Sequence, residues 1–191
     1  MNLPLTDDQN FNNIDYTKNL LPKAEYTECS FSNCNFENSD ISNITFLECI
    51  FTDCNFSNVN VMHTTFNDVT FNSCKILGVV FQYCNPFILS FKFTDCILNF
   101  SSFYQLKINH TKFSKCIMHQ VDFAETKAKH VVFEDCDLKQ SIFERTNLFQ
   151  SDFSSAYNFS MNPANNIMKQ ASFSKENISG LLDVFNIKII D

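Results

Sequence analysis

The chain has 191 residues and a net charge of −7, with 23 phenylalanines but only two glycines and no tryptophan. An apolar content of 45% is enough to fill a core and excludes wholesale disorder. No run approaches the ~18 apolar residues of a membrane span, and two glycines are too few for a fold built from tight β-hairpins.

This length fits one domain, or one solenoid with a small appendage. Met1 to Asn10 carry neither a basic stretch nor an apolar one, so secretion is not expected. Nine cysteines leave one unpaired in any set of disulfides, and the expectation is a cytoplasmic protein with reduced thiols. Charge is unevenly placed: residues 1–91 hold ten acids and three lysines, whereas 92–191 hold eleven acids and eleven bases. The acidic first half argues against direct nucleic-acid binding there and for a basic partner.

Taken in order, the chain returns to one tetrapeptide. Phe31-Ser32-Asn33-Cys34 is followed by Phe51-Thr52-Asp53-Cys54 and Phe71-Asn72-Ser73-Cys74, each 20 residues after the last. After an interval of 22 it resumes as Phe93-Thr94-Asp95-Cys96, Phe113-Ser114-Lys115-Cys116 and Phe133-Glu134-Asp135-Cys136, and closes as Phe153-Ser154-Ser155-Ala156. Such a period marks a repeat architecture.

A finer period of five runs inside it. Apolar or aromatic centres stand at Phe11, Tyr16, Leu21, Tyr26, Phe31, Phe36, Ile41, Phe46 and onward to Phe81, with a small or medium residue two places before each. The other three positions are mostly Ser, Thr, Asn, Asp, Glu and Lys. Five matches neither the 3.6 of a helix nor the two of a strand. It requires a backbone that turns a corner every five residues and sends two side chains inward each time.

On these residues the chain resembles the pentapeptide-repeat family, whose loose pattern is Ala/Cys-Asp/Asn-Leu/Phe-x-x. Cys34-Asn35-Phe36-Glu37-Asn38, Cys54-Asn55-Phe56-Ser57-Asn58 and Cys136-Asp137-Leu138-Lys139-Gln140 fit it well, and the match covers roughly residues 11–156. The resemblance implies an all-β fold: a right-handed quadrilateral β-helix with four pentapeptides to a coil. Seven coils at about 4.8 Å would make a rod of ~35 Å.

Counting by fives from Phe81 reaches Pro86, after which the centres run Phe93, Leu98, Phe103 and so on, shifted by two. Proline cannot donate to a ladder, so a bulge or kink is expected at 84–92. Past Phe153 the pattern fades. Ile178, Leu181, Leu182 and Phe185 then fall at the spacing of an amphipathic α-helix, with Ser174 as N-cap and Glu176 in the first turn. Phe185, Ile187 and Ile189 alternate with Asn186 and Lys188 as a short strand would. The expected division is therefore a β-helix over 1–156 and a capping or dimerisation segment over 157–191. That tail resembles the endings of the quinolone-resistance (Qnr) group and of the microcin B17 immunity protein. The resemblance implies a homodimer joined through Ile178, Leu181, Leu182, Phe185, Ile187 and Ile189.

All nine cysteines lie two residues before a centre, where the repeat wants a small buried residue, so packing explains them. Neither a Cys-x-x-Cys pair nor a zinc-type Cys/His spacing is present. His110 and His130, 20 apart, should stack on one face. The chain shows no nucleophile elbow and no phosphate loop, and neither enzymatic activity nor a cofactor is expected.

Glu28, Glu48 and Asp68 are also 20 apart and should form a column on the surface, with Asp53 adding to the acidic patch. Like charges on adjacent rungs repel, so the column carries a stability cost. One reading of the column is a solvated face that opposes aggregation; the other is a regular acidic surface that imitates duplex DNA, which presents one charge per ~1.7 Å of axis against one per ~4.8 Å rung here, so that neighbouring faces would have to add to it. The resemblance implies a non-enzymatic DNA mimic that binds a type II topoisomerase, DNA gyrase or topoisomerase IV, and modulates it or protects it from quinolones or peptide toxins. The other reading is a general protein-interaction or scaffolding solenoid.

Overall fold

A backbone that turns every five residues has no intrahelical or hairpin partner for its amides, so it must satisfy them between coils. The computed structural model, which describes residues 3–190, does this with parallel pairing alone. Each coil has four sides. On the first, β1 (Leu5–Asp7), β3 (Glu25–Thr27), β5 (Thr45–Leu47) and β7 (Thr65–Asn67) form a four-stranded sheet. On the second, β2 (Asn10–Asn12), β4 (Ser30–Ser32), β6 (Ile50–Thr52), β8 (Val69–Asn72), β9 (Phe91–Thr94), β10 (Lys112–Ser114) and β11 (Val132–Glu134) form a seven-stranded one. Single parallel bridges hold the third and fourth sides, as between Asn35 and Asn55 and between Asp122 and Ile142. The register is the sequence period: Phe31 lies beside Phe51, and across the longer interval Phe71 lies beside Phe93. The fold is the all-β four-sided solenoid that the five-residue period requires.

The interior is a set of side-chain columns. From Phe11 to Phe173 the second side stacks nine phenylalanine rings, one per coil, with centroids 4.6–5.3 Å apart and planes within 29° of parallel. Further rings join it from different sides in the two halves. Tyr26, Phe46 and Phe66 stack inside the first side, and Tyr16, Phe36 and Phe56 inside the third. From Phe81 onward the partner column is on the fourth side and runs across the break through Phe103, Phe123 and Phe143. Edge contacts such as Phe103 to Phe113 (5.8 Å, 78°) tie neighbouring columns together. Stacked and edge-to-face pairs of this kind contribute roughly 0.5–1.5 kcal/mol each beyond the area they bury.

The cysteines are all buried and free. The Cys54 Sγ donates to the carbonyls of Phe31 (3.4 Å) and Thr52 (3.3 Å), and Cys74 repeats the arrangement one coil on. Burial pushes the Cys49 and Cys84 thiols up to about 12, so they stay protonated and act as compact apolar fillers.

At the break, Asn85 still pairs with the coil above, its amide reaching Thr64 O at 2.8 Å. Pro86 has no amide to give, and the chain leaves the ladder until Ser90 N–H meets Phe66 O at 3.0 Å. The excursion is a bulge and not a kink, because the Phe71 and Phe93 rings stack across it within 7° of parallel. Its tip is bare: Phe87 is 91% exposed.

Pairing continues past Ala156, with Tyr157 bridged to Asp137, Ile167 to Asn147 and Ser172 to Asp152. The tail corrects the sequence expectation, for neither the α-helix nor the strand forms. Ile178–Leu181 and Asp183–Phe185 are short 3-10 turns, the Asn186 amide closes the second one on Asp183 O (3.1 Å), and residues 187–190 form no strand. Gly180 is the cause. It lies so close to Phe159 that a Cβ would stand 2.2 Å from that residue's carbonyl oxygen. Its own carbonyl accepts the Met161 amide at 3.0 Å, the bond that an α-helix would reserve for Val184. Asn186 then turns left-handed (φ 48°). Asn177 fastens the tail to the last coil through Phe153 O (2.7 Å) and Ala156 O (2.8 Å), and Leu181 packs on the core. Among the described residues no helix is long and apolar enough to cross a membrane.

Candidate functional site

The corner of each side is its fifth residue, two after the inward centre, and it adopts a left-handed backbone. Twenty-seven described residues other than glycine have positive φ, nearly all of them corners, and Gly78 is the one glycine among the corners. Asparagine and aspartate tolerate this conformation, whereas longer side chains lose roughly 1 kcal/mol or more in it. The corner amide is fixed by the next coil, as in Glu28 N–H to Leu47 O (2.9 Å) and Glu48 N–H to Asn67 O (2.8 Å). Which residue stands at a corner is thus free of the core but not free of backbone cost.

The first corner carries four acids in succession, Asp8, Glu28, Glu48 and Asp68, with φ of 48°, 50°, 54° and 50°. All four are exposed. Glu28 and Glu48 make no side-chain hydrogen bond or ion pair among the described residues, while Asp68 meets Lys92 at 3.3 Å across an exposed surface. Such a surface pair contributes little. The structure joins Glu28, Glu48 and Asp68 as the spacing predicts, but it places Asp53 on the next corner, between Asn33 and Ser73. Two further acids stand on the first side, Asp7 in β1 and Glu25 in β3.

Asp8 was within reach of the sequence, since it lies 20 residues before Glu28. It goes unseen because the inward position of its strand is Thr6, which offers no aromatic marker. Six acids on four rungs of ~4.8 Å give about one charge per 3 Å. That is roughly half the axial density of duplex DNA. A single column would reach only a third of it.

The predicted histidine pair is present, with His110 and His130 stacked at 4.7 Å and 5°. Of the tail residues, Leu181 is partly buried against the core, whereas Ile178, Phe185, Ile187 and Ile189 are 48–63% exposed. Among the described residues no group of His, Cys, Asp and Glu is arranged to hold a metal ion.

A four-sided parallel β-helix with five-residue sides and flat outer faces defines the class of protein. The family models for a pentapeptide repeat region and for pentapeptide repeats match residues 24–92 and 116–154. The chain belongs to the pentapeptide-repeat family. No curated protein matches it significantly. Among solved structures, a trypsin-treated form of QnrB1, a plasmid-mediated fluoroquinolone resistance protein, superposes with a TM-score of 0.78 at 13% identity, over 97% of this chain and 92% of that one. Full-length QnrB1 gives 0.41 at 16% identity, over 96% of this chain and all of that one. HetL, involved in heterocyst differentiation regulation in the cyanobacterium Nostoc sp. strain PCC 7120, gives 0.40 at 10% identity over 90% and 88%. At these identities the likeness is one of fold.

Glu48→Asn tests whether the acidic corner is held against stability. It removes a carboxylate flanked by two others and puts the better left-handed residue in its place. The expected result is a higher urea midpoint, a gain of roughly 0.5–1 kcal/mol with an unchanged slope. A lower midpoint would mean that the carboxylate makes a stabilising contact.

Proposed function

We propose that the protein is a non-enzymatic DNA mimic whose acidic first side occupies the DNA-binding surface of a type II topoisomerase, DNA gyrase or topoisomerase IV, modulating it or protecting it from quinolones or peptide toxins. The observation that carries this reading is the run of six acids, with no base between them, on the first side of four consecutive coils. Four of them stand at left-handed corners, and at two of these, Glu28 and Glu48, asparagine would cost less. The likeness in fold to a fluoroquinolone resistance protein agrees with it. Molecules are further proposed to pair through their C-terminal ends, where Ile178, Phe185, Ile187 and Ile189 leave an apolar surface uncovered. The alternative, a scaffolding solenoid for another protein, is favoured by the bare Phe87 and Ile88 at the bulge.

Two experiments test these points. Glu28→Lys with Glu48→Lys and Asp68→Lys reverses the column without touching an inward position. In a gyrase supercoiling assay the parent should inhibit or protect at low salt and the triple variant should not, with circular dichroism unchanged. Equal activity of the two proteins would leave the scaffold reading. For the end contact, light scattering should find the parent dimeric and Phe185→Asp shifted towards monomer; a parent that is monomeric at every concentration removes that contact.

A further inference from the structure

The zero net charge of residues 92–191 conceals a segregation by side. Below the bulge the first side is built from residues 106–110, 126–130, 146–150 and 166–170, bridged from Lys107 to Lys127, Asn147 and Ile167. These segments carry Lys107, Lys127, Lys129 and Lys169, two histidines and no acid. All four lysines are exposed, and none forms an ion pair among the described residues. Elsewhere Lys18, Lys92, Lys112 and Arg145 each find a carboxylate, whereas Lys23, Lys75, Lys115 and Lys139 form no ion pair among the described residues either, so what sets the four apart is the side they share. Above the bulge the same side carries six acids and no base. Four coils lie above the bulge and four below it, so one flat side is acidic at one end, basic at the other, and marked at its middle by the projecting loop.

A surface of this kind is complementary to itself under one operation, a two-fold rotation about an axis that lies in the surface, passes through its middle and runs at right angles to the solenoid. We propose that the first side docks antiparallel on the first side of a second copy, with the bulges meeting at the axis. The rotation brings the rung of Glu48 opposite that of Lys127 and Lys129, the rung of Asp68 opposite that of Lys107, and the rung of Asp8 opposite that of Lys169. The middle supplies shape as well as charge. Phe87 projects with 91% exposure and also forms one wall of a groove of about 300 Å³, whose other walls are Pro86, Leu89, Lys107, Asn109 and His110. An isologous contact presents each knob to the partner's groove.

The contact would be roughly 40 Å long but only one side wide, below the ~800 Å² per partner of a stable interface. It is accordingly weak, electrostatic and sensitive to salt. It also covers the acidic column, so a topoisomerase would compete with it, but the self-contact stands whether or not that reading of function holds.

The test is a charge exchange, carried out in the full chain with Phe185→Asp present throughout so that the C-terminal contact does not contribute. One variant carries Lys107→Glu, Lys127→Glu and Lys129→Glu; the other carries Glu28→Lys, Glu48→Lys and Asp68→Lys. Sedimentation equilibrium should show the unexchanged protein self-associating at low salt and weakening tenfold or more as ionic strength rises from about 0.05 to about 0.3 M. Each variant alone should be monomeric, and an equimolar mixture should associate at least as tightly as the unexchanged protein. Circular dichroism of each variant checks that it is folded. A monomeric unexchanged protein at low salt, or a mixture that stays monomeric, overturns the proposal. So does loss of heparin binding in the lysine variant without any change in self-association, which would assign the basic end to polyanions instead.

Discussion

Everything in this molecule hangs on the stacking of one phenylalanine over another at the spacing of neighbouring parallel strands. Nine rings, from Phe11 to Phe173, keep that contact without a gap at 4.6–5.3 Å. The ring spacing and the strand spacing agree closely, so the side-chain column and the backbone ladder strengthen each other. This agreement enforces a return every 20 residues. The two extra residues at 84–92 must then leave the coil altogether, since the Phe71 and Phe93 rings remain within 7° of parallel. The proline that breaks the ladder therefore costs a bulge, not the register.

The same constraint separates structure from surface. Inward positions accept aromatic, aliphatic, thiol and small hydroxyl side chains but no charged one, while corners are indifferent to the core and pay only for backbone conformation. Charge placed on corners and outer strand positions is laid down at rung intervals with a regularity that loops cannot give. That is how a chain with a net charge of only −7 comes to carry six acids along one end of a side and four unpaired lysines along the other.

Much of this was legible in the sequence. The Phe-x-x-Cys return predicted the coil, and the finer period identified every cysteine as buried and placed the break at Pro86. What was not legible has physical causes. Thr6 sits inward in β1 and hid the first coil, and with it Asp8. The spacing of Ile178, Leu181, Leu182 and Phe185 was that of a helix, but the close approach of Gly180 to Phe159 is a tertiary fact that periodicity does not carry. Asp53 belongs to the second corner and the four lysines to the first side, and neither is legible in a net charge, because position along the chain does not reveal the side.

Amide hydrogen exchange tests the dependence on the columns most directly. Phe36, Phe56 and Ile76 above the break and Leu98, Met118 and Leu138 below it each donate a backbone hydrogen bond of 2.7–3.0 Å to the next coil. If the unbroken stack couples the two halves, these six amides should share one high protection factor and lose it together as urea is added. Protection that collapses first on one side of residues 84–92 while persisting on the other would show two independent solenoids, and would contradict the account.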